Sequence, residues 1–85
     1  MIFYVYLIIS EKNKKFFTYV GYTKDLKKRL LLHNNGKGAK YTRGKKWTII
    51  YKKRYKSKSQ AMIEEYKLKK NNIKRKKLKI EYINN

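Results

Sequence analysis

The chain has 85 residues, and its 25 Lys and Arg against five Asp and Glu give a formal net charge of +20 at pH 7. So short a chain buries only about 60 to 65% of its unfolded surface, which excludes two independent cores and leads us to expect one domain over residues 1–85. The charge draws in a polyanion, making nucleic acid the expected partner, and the lack of Cys excludes disulfides, thiolate zinc sites and cysteine nucleophiles.

Apolar residues at 41%, with nine Tyr, are enough for a globular core. Residues 2–9 (Ile-Phe-Tyr-Val-Tyr-Leu-Ile-Ile) are unbroken aromatic and branched residues, the pattern of a central strand covered on both faces. Alternation puts Tyr4, Tyr6 and Ile8 on one face and Phe3, Val5, Leu7 and Ile9 on the other. The run is too short to span a bilayer and lacks the basic start and small-residue cleavage site of a signal peptide, so no membrane and an intracellular, cytoplasmic location are expected. Ser10 to Lys15 reads as a polar turn, and Phe16 to Gly21 as a returning strand with Phe17 and Tyr19 on one side.

Thr23 or Asp25 caps a helix running to about Asn34, where Asn34-Asn35-Gly36 is a stop signal. Leu26 and Leu30 define its buried stripe, and Arg29 and His33 share a face beside it. Lys24, Lys27 and Lys28 are expected to point elsewhere. Residues 35–46 hold three of the four glycines and five cations and read as a mobile basic loop, with Lys37, Lys40, Tyr41, Arg43, Lys45 and Lys46 as nucleic-acid contacts. Trp47 to Tyr55 is a third strand whose Lys52, Lys53 and Arg54 mark an exposed edge. Ser57-x-x-Gln60 opens a helix to about Lys70, with Ala61, Met62, Tyr66 and Leu68 as its apolar arc, Glu65 inside that arc and Glu64 outside it. Asn71 or Asn72 breaks this helix, and Ile73 to Ile83 is expected to form a further basic helix.

An ionised carboxylate on a buried face costs several kcal/mol unless paired. Glu65 therefore calls for a divalent ion, Arg29 or, more plainly, a neighbouring lysine. Five acids cannot build a two-metal carboxylate site, so any metal is one ion held mostly by water and phosphate, as Mg2+ prefers, with Mn2+ as substitute. Tyr6 and Tyr19 fall on neighbouring strands, where packing alone accounts for either. Together with Arg29, a phenol can act as general base or orient water while a guanidinium steadies a transferring phosphoryl group. The single His excludes a histidine-cluster metal site.

Tyr4-Val5-Tyr6, then Tyr19-Val20-Gly21, then Arg29-x-x-x-His33 and Glu65 on a later helix, resembles the GIY-YIG nuclease superfamily. Asp25-Leu26, His33-Asn34, Gly36 and the run Gly38 to Gly44 resemble its small stand-alone members. The resemblance spans nearly the whole chain. It implies a compact α/β domain with a three-stranded antiparallel sheet flanked by helices, and metal-dependent phosphodiester hydrolysis leaving a 5′-phosphate and a 3′-hydroxyl. It makes Tyr6 the general base, Tyr19 the residue orienting the water, Arg29 the stabiliser of the transition-state phosphate, His33 a phosphate contact and Glu65 the sole metal ligand. Tyr4-Val5 stands in place of Gly-Ile and Val20 in place of Ile. Lys77 stands about where larger relatives carry an asparagine, a role Asn71 or Asn72 is left to fill.

The expected activity is thus a Mg2+- or Mn2+-dependent endonuclease acting on DNA, single-stranded or branched, with RNA not excluded and no obligate protein partner. The alternative is a non-catalytic basic nucleic-acid-binding domain on the same fold.

Overall fold

Three strands and three helices follow one another as β1 (Phe3–Lys12), β2 (Lys15–Thr23), α1 (Leu26–Asn34), β3 (Thr48–Tyr55), α2 (Lys58–Lys70) and α3 (Asn72–Ile83) in the computed structural model, which describes residues 1–85. The strands form one antiparallel sheet in the order β2-β1-β3, so the apolar first strand is central as its pattern requires. Its two faces feed two cores. Phe3, Val5 and Leu7 pack with Val20 and with Ala61 and Leu68 of α2, whereas Tyr6 and Ile8 pack with Trp47 and with Leu26 and Leu30 of α1. Helices α1 and α2 therefore cover opposite faces of the sheet. No helix is long and apolar enough to cross a membrane.

The first hairpin is longer than its polar composition implies. Lys12 pairs with Lys15, and only Asn13 (φ 55°) and Lys14 (φ 65°) form the turn. Two consecutive left-handed residues give the turn whose twist matches the strands it joins. Polar residues at the solvated end of a ladder do not stop it. On β3 the register shifts opposite Leu7 and Ile8, which pair with Tyr51 and Ile49, so Ile50 is the extra residue of a bulge. That extra residue turns both Ile50 and Tyr51 toward the α2 core.

In α2 the Ser57 hydroxyl accepts the Gln60 amide proton at 3.1 Å, forming the cap. The buried face differs from the expected arc: Ala61 and Leu68 are buried, but Met62 and Tyr66 are 48% and 60% exposed. The small Ala61 side chain lets the helix seat there, which rolls Met62 and Tyr66 into solvent. Glu65 and Glu64 then flank the seated face on opposite sides. Asn71 ends α2 and caps α3, its side chain accepting from Lys74 N–H at 3.0 Å.

Candidate active site

The site begins at the junction where β2 becomes α1. Thr23 Oγ1 accepts the Asp25 amide proton at 3.2 Å, and Asp25 in turn accepts the Lys28 amide proton at 3.1 Å as the helix cap. With the first turn placed there, Arg29 and His33 lie one turn apart on the inward face. His33 is the one fully buried residue of α1. Asn35 closes the helix, followed by Gly36 at φ 76°, a left-handed position that suits glycine.

A cleft of about 600 Å³ opens beside β2, a free edge of the sheet, and Tyr6, Tyr19, Arg29 and Glu65 all line it. Glu65 arrives from the helix on the other face of the sheet and meets the rest around that edge. Its side chain is 18% exposed, and Oε1 lies 3.4 Å from Lys69 Nζ. The lysine reading of Glu65 thus holds for this structure. Arg29 presents the opposite situation: its Nε is buried and has no hydrogen-bond partner. Nε itself has no exposed surface, so it is the part of the Arg29 side chain that lines the cleft that can meet an anionic oxygen there.

Tyr6 is 2% exposed and its hydroxyl stands 2.8 Å from His33 Nε2. Burial raises the phenol above its usual pKa of 10, with Arg29, first as a hydrogen-bond donor and then by its charge, pulling the other way. Two glycines make room for this pair: a Cβ at Gly21 would overlap the Tyr6 hydroxyl, and one at Gly38 would overlap the His33 ring. The other His33 nitrogen, Nδ1, lies 2.9 Å from Thr42 Oγ1. Burial, then the Arg29 charge, lower the imidazole below its ordinary 6.5.

The expectation that His33 touches phosphate is not met by this arrangement. Its ring has no exposed surface, does not line the cleft and has both nitrogens engaged, so it reaches the site through Tyr6. Tyr19 lies on the other side of that ring, with centroids 5.2 Å apart, and stacks on Tyr41 at 6.1 Å and 22°.

The loop between α1 and β3 is tied down where mobility was expected. Thr42 is fully buried, its carbonyl accepts from Trp47 Nε1 at 2.9 Å, and the Asn34 side chain accepts the Trp47 amide proton at 2.6 Å. Lys37, Lys40, Tyr41, Arg43 and Lys46 remain exposed. Lys45 is half-buried, its ammonium 5.0 Å from the Phe17 ring centre and 5.3 Å from that of Tyr41. None of these six lines the main cleft; Tyr41 instead lines a neighbouring groove with Tyr19, Lys69 and Arg75.

Besides Arg29, the cations lining the cleft are Lys24, against the expectation that it points elsewhere, and Lys58, which no sequence pattern marks. Lys24 precedes the helix, so a helical wheel misplaces it. Neither Asn71 nor Asn72 supplies the asparagine of larger relatives: Asn71 caps α3, the Asn72 side chain pairs with Arg75, and neither lines the cleft. Nowhere do three His, Cys, Asp or Glu side chains gather. One carboxylate beside a donor-lined hollow suits a hydrated Mg2+ that takes its other ligands from water and phosphate.

A family model described as the GIY-YIG catalytic domain matches residues 2–79. Similar proteins include a UPF0213 protein of Oceanobacillus iheyensis, 45% identical over 78% of this chain and 74% of that one. A UPF0213 protein of Staphylococcus saprophyticus is 40% identical over 78% of each. The solution structure of a UPF0213 protein from Bacillus halodurans is 36% identical, covers 96% of this chain and 85% of its own, and superimposes with a TM-score of 0.49.

Proposed function

The chain belongs to the GIY-YIG nuclease family, and from that premise we propose that it is a single-domain, Mg2+- or Mn2+-dependent endonuclease that hydrolyses phosphodiester bonds of single-stranded or branched DNA. The observation that carries this reading is the meeting of Tyr6, Tyr19, Arg29 and Glu65 on one cleft. In it, Glu65 would hold the metal, which when bound would supply charge neutralisation at the phosphate and activation of water. The Arg29 guanidinium, which lines the cleft, binds the phosphate oxygens. Tyr19 orients the attacking water.

Tyr6 accepts the proton of that water while its own proton passes to His33 Nε2, so the phenol never has to ionise alone. This matters because burial makes an isolated Tyr6 phenolate costly. Water oxygen bonds to phosphorus, the bond to the 3′ oxygen breaks, and that oxygen takes a proton from solvent, leaving a 5′-phosphate and a 3′-hydroxyl. The imidazolium then returns its proton by way of Tyr6.

Exposed Tyr41, stacked beside Tyr19, provides a surface for an unpaired base, and Lys37, Lys40, Arg43, Lys45 and Lys46 hold the backbone around it. That aromatic surface favours single strands and flaps over intact duplex. The Lys69 pairing of Glu65 favours a second reading, a non-catalytic basic binder, because it satisfies the carboxylate without metal. Cleavage of single-stranded, flapped and duplex oligonucleotides, DNA and RNA in parallel, by wild type, Glu65→Gln and Arg29→Ala separates them. The nuclease reading expects both variants to lose at least about a hundredfold in rate while Glu65→Gln still binds. Equal cleavage by all three, or cleavage by none, would leave only the binder.

A further inference from the structure

Thr42 lies outside the cleft and makes no contact with the groups assigned to the phosphate. It is nonetheless among the most completely buried side chains, and its hydroxyl sits at the centre of a closed set of hydrogen bonds. Thr42 Oγ1 donates to the Ala39 carbonyl at 3.0 Å and accepts from the Ala39 amide at 3.2 Å. A hydroxyl has one proton and two lone pairs. With the proton directed to Ala39 O, which also accepts from the Thr42 amide at 3.2 Å, and one lone pair taking Ala39 N–H, what remains for His33 Nδ1, 2.9 Å away, is a lone pair. That contact is satisfied only if Nδ1 carries the hydrogen.

From this we infer that Thr42, held by its turn to Ala39, is a positioning residue that fixes His33 as the Nδ1–H tautomer and so leaves Nε2 free to accept the Tyr6 phenol proton. A neutral imidazole has one donor nitrogen and one acceptor, and the bond made at one sets the role of the other. With the tautomer reversed, Nε2 would donate to the Tyr6 oxygen, and Tyr6 would have nowhere to send its own proton. Gly38 is part of the device. It lies between His33 and the Ala39 turn, and a Cβ there would collide with Nδ1 and its two carbon neighbours. The run Gly38-Ala39-Lys40-Tyr41-Thr42 therefore contributes two different things: buried Thr42 facing His33, and exposed Tyr41 facing solvent.

The inference rests on the nuclease reading for its consequence, but its core is a protonation state that can be observed without any cleavage. His33 is the only histidine, so its ring nitrogens can be read without assignment ambiguity in a uniformly 15N-labelled sample of the full chain at pH 7.5. We expect Nδ1 at a protonated, pyrrole-type shift and Nε2 at an unprotonated, pyridine-type shift. In Thr42→Val, which keeps the shape and removes the hydroxyl, we expect the minor tautomer to grow and cleavage to fall about tenfold or more with KM for the oligonucleotide little changed. Thr42→Ser should restore both the tautomer and the rate. A wild-type spectrum showing protonated Nε2 would overturn the inference whatever the activity. So would a Thr42→Val protein of unaltered tautomer and rate. Correct tautomers with no cleavage in any protein would instead count against the nuclease reading.

Discussion

Tyr6 Oη and His33 Nε2 stand 2.8 Å apart, so one of the two phenols that line the cleft is coupled to the only imidazole of the chain, itself fully buried. Tyr6→Phe is expected to abolish measurable cleavage, at least about a hundredfold. It also leaves Nε2 without its partner, which costs roughly 1 to 3 kcal/mol. Single-turnover cleavage and denaturant unfolding measure the two effects on one preparation, and loss of stability without loss of rate would remove Tyr6 from the chemistry.

Gly21 faces the same hydroxyl across the β1–β2 ladder, where Tyr6 pairs with Gly21. A methyl placed there overlaps the phenol oxygen and ring, so Gly21→Ala must push Tyr6 off His33 or open the strands. We expect about 1 to 3 kcal/mol of destabilisation from overpacking and a rate loss similar to that of Tyr6→Phe. Cleavage unchanged from wild type would mean that Tyr6 is free to relocate.

Lys69 neutralises Glu65 from one turn away, but half of its own side chain is exposed. Its removal in Lys69→Gln should therefore change stability by less than about 1 kcal/mol. An ammonium and a divalent ion contend for the same carboxylate, so the Mg2+ concentration giving half-maximal cleavage should fall in this variant. A rise in that concentration would show that Lys69 assists the ion.

His33 is buried neutral among Tyr6, Tyr19 and Arg29, and burial with the Arg29 charge lowers its pKa below the unfolded value. Between the lowered and the ordinary value the unfolded chain binds more protons than the folded one, so stability falls as pH falls. The contribution is fully present above about pH 6.5 and lost as pH drops through the folded value. Thermal melts between pH 7.5 and 5 should show a steeper decline for wild type than for His33→Gln. Parallel curves would place the acid sensitivity elsewhere.

Tyr41 is half exposed and parallel to Tyr19, and stacking of one base on such a ring is worth about 1 to 3 kcal/mol. Tyr41→Ala should weaken single-stranded binding about fivefold or more and leave duplex binding nearly unchanged. Fluorescence anisotropy at fixed salt decides it, the salt being held because charge dominates the total affinity. Equal losses on both substrates would make Tyr41 a structural prop.

Much of this architecture could be read from the residues because it is encoded locally. The apolar run of β1 can only be a central strand, the spacing of Arg29 and His33 can only put them on one helix face, and Asp25 stands where a cap belongs. Helical period puts Glu65 inside the apolar arc and Glu64 outside it, yet both acids flank the seated face of α2, and only tertiary placement turns Glu65 toward Tyr6 and Glu64 toward Tyr51 and Tyr55. Met62 and Tyr66 misled the wheel because apolar residues on a helix need not be buried ones. Lys24, expected to point away, lines the cleft, and Lys58 and Lys69 do not stand out among 25 cations, since nothing in sequence distinguishes a lysine beside a cleft from one in solvent. Thr42 was hidden by polar neighbours in a segment that reads as a loop; the signal for it was the proximity of Gly38, a glycine with no turn of its own to explain it.

The central claim is that Glu65 and Arg29 act on one scissile phosphate beside a metal ion. Single-turnover cleavage of a 5′-labelled flapped oligonucleotide with Mg2+ or Mn2+ in excess, by wild type and Glu65→Gln at equal binding, tests this directly. Wild type is expected to give metal-dependent products ending in a 3′-hydroxyl, and the variant a rate lower by at least about a hundredfold. Equal rates for the two proteins, or no product from wild type with either metal, would contradict it.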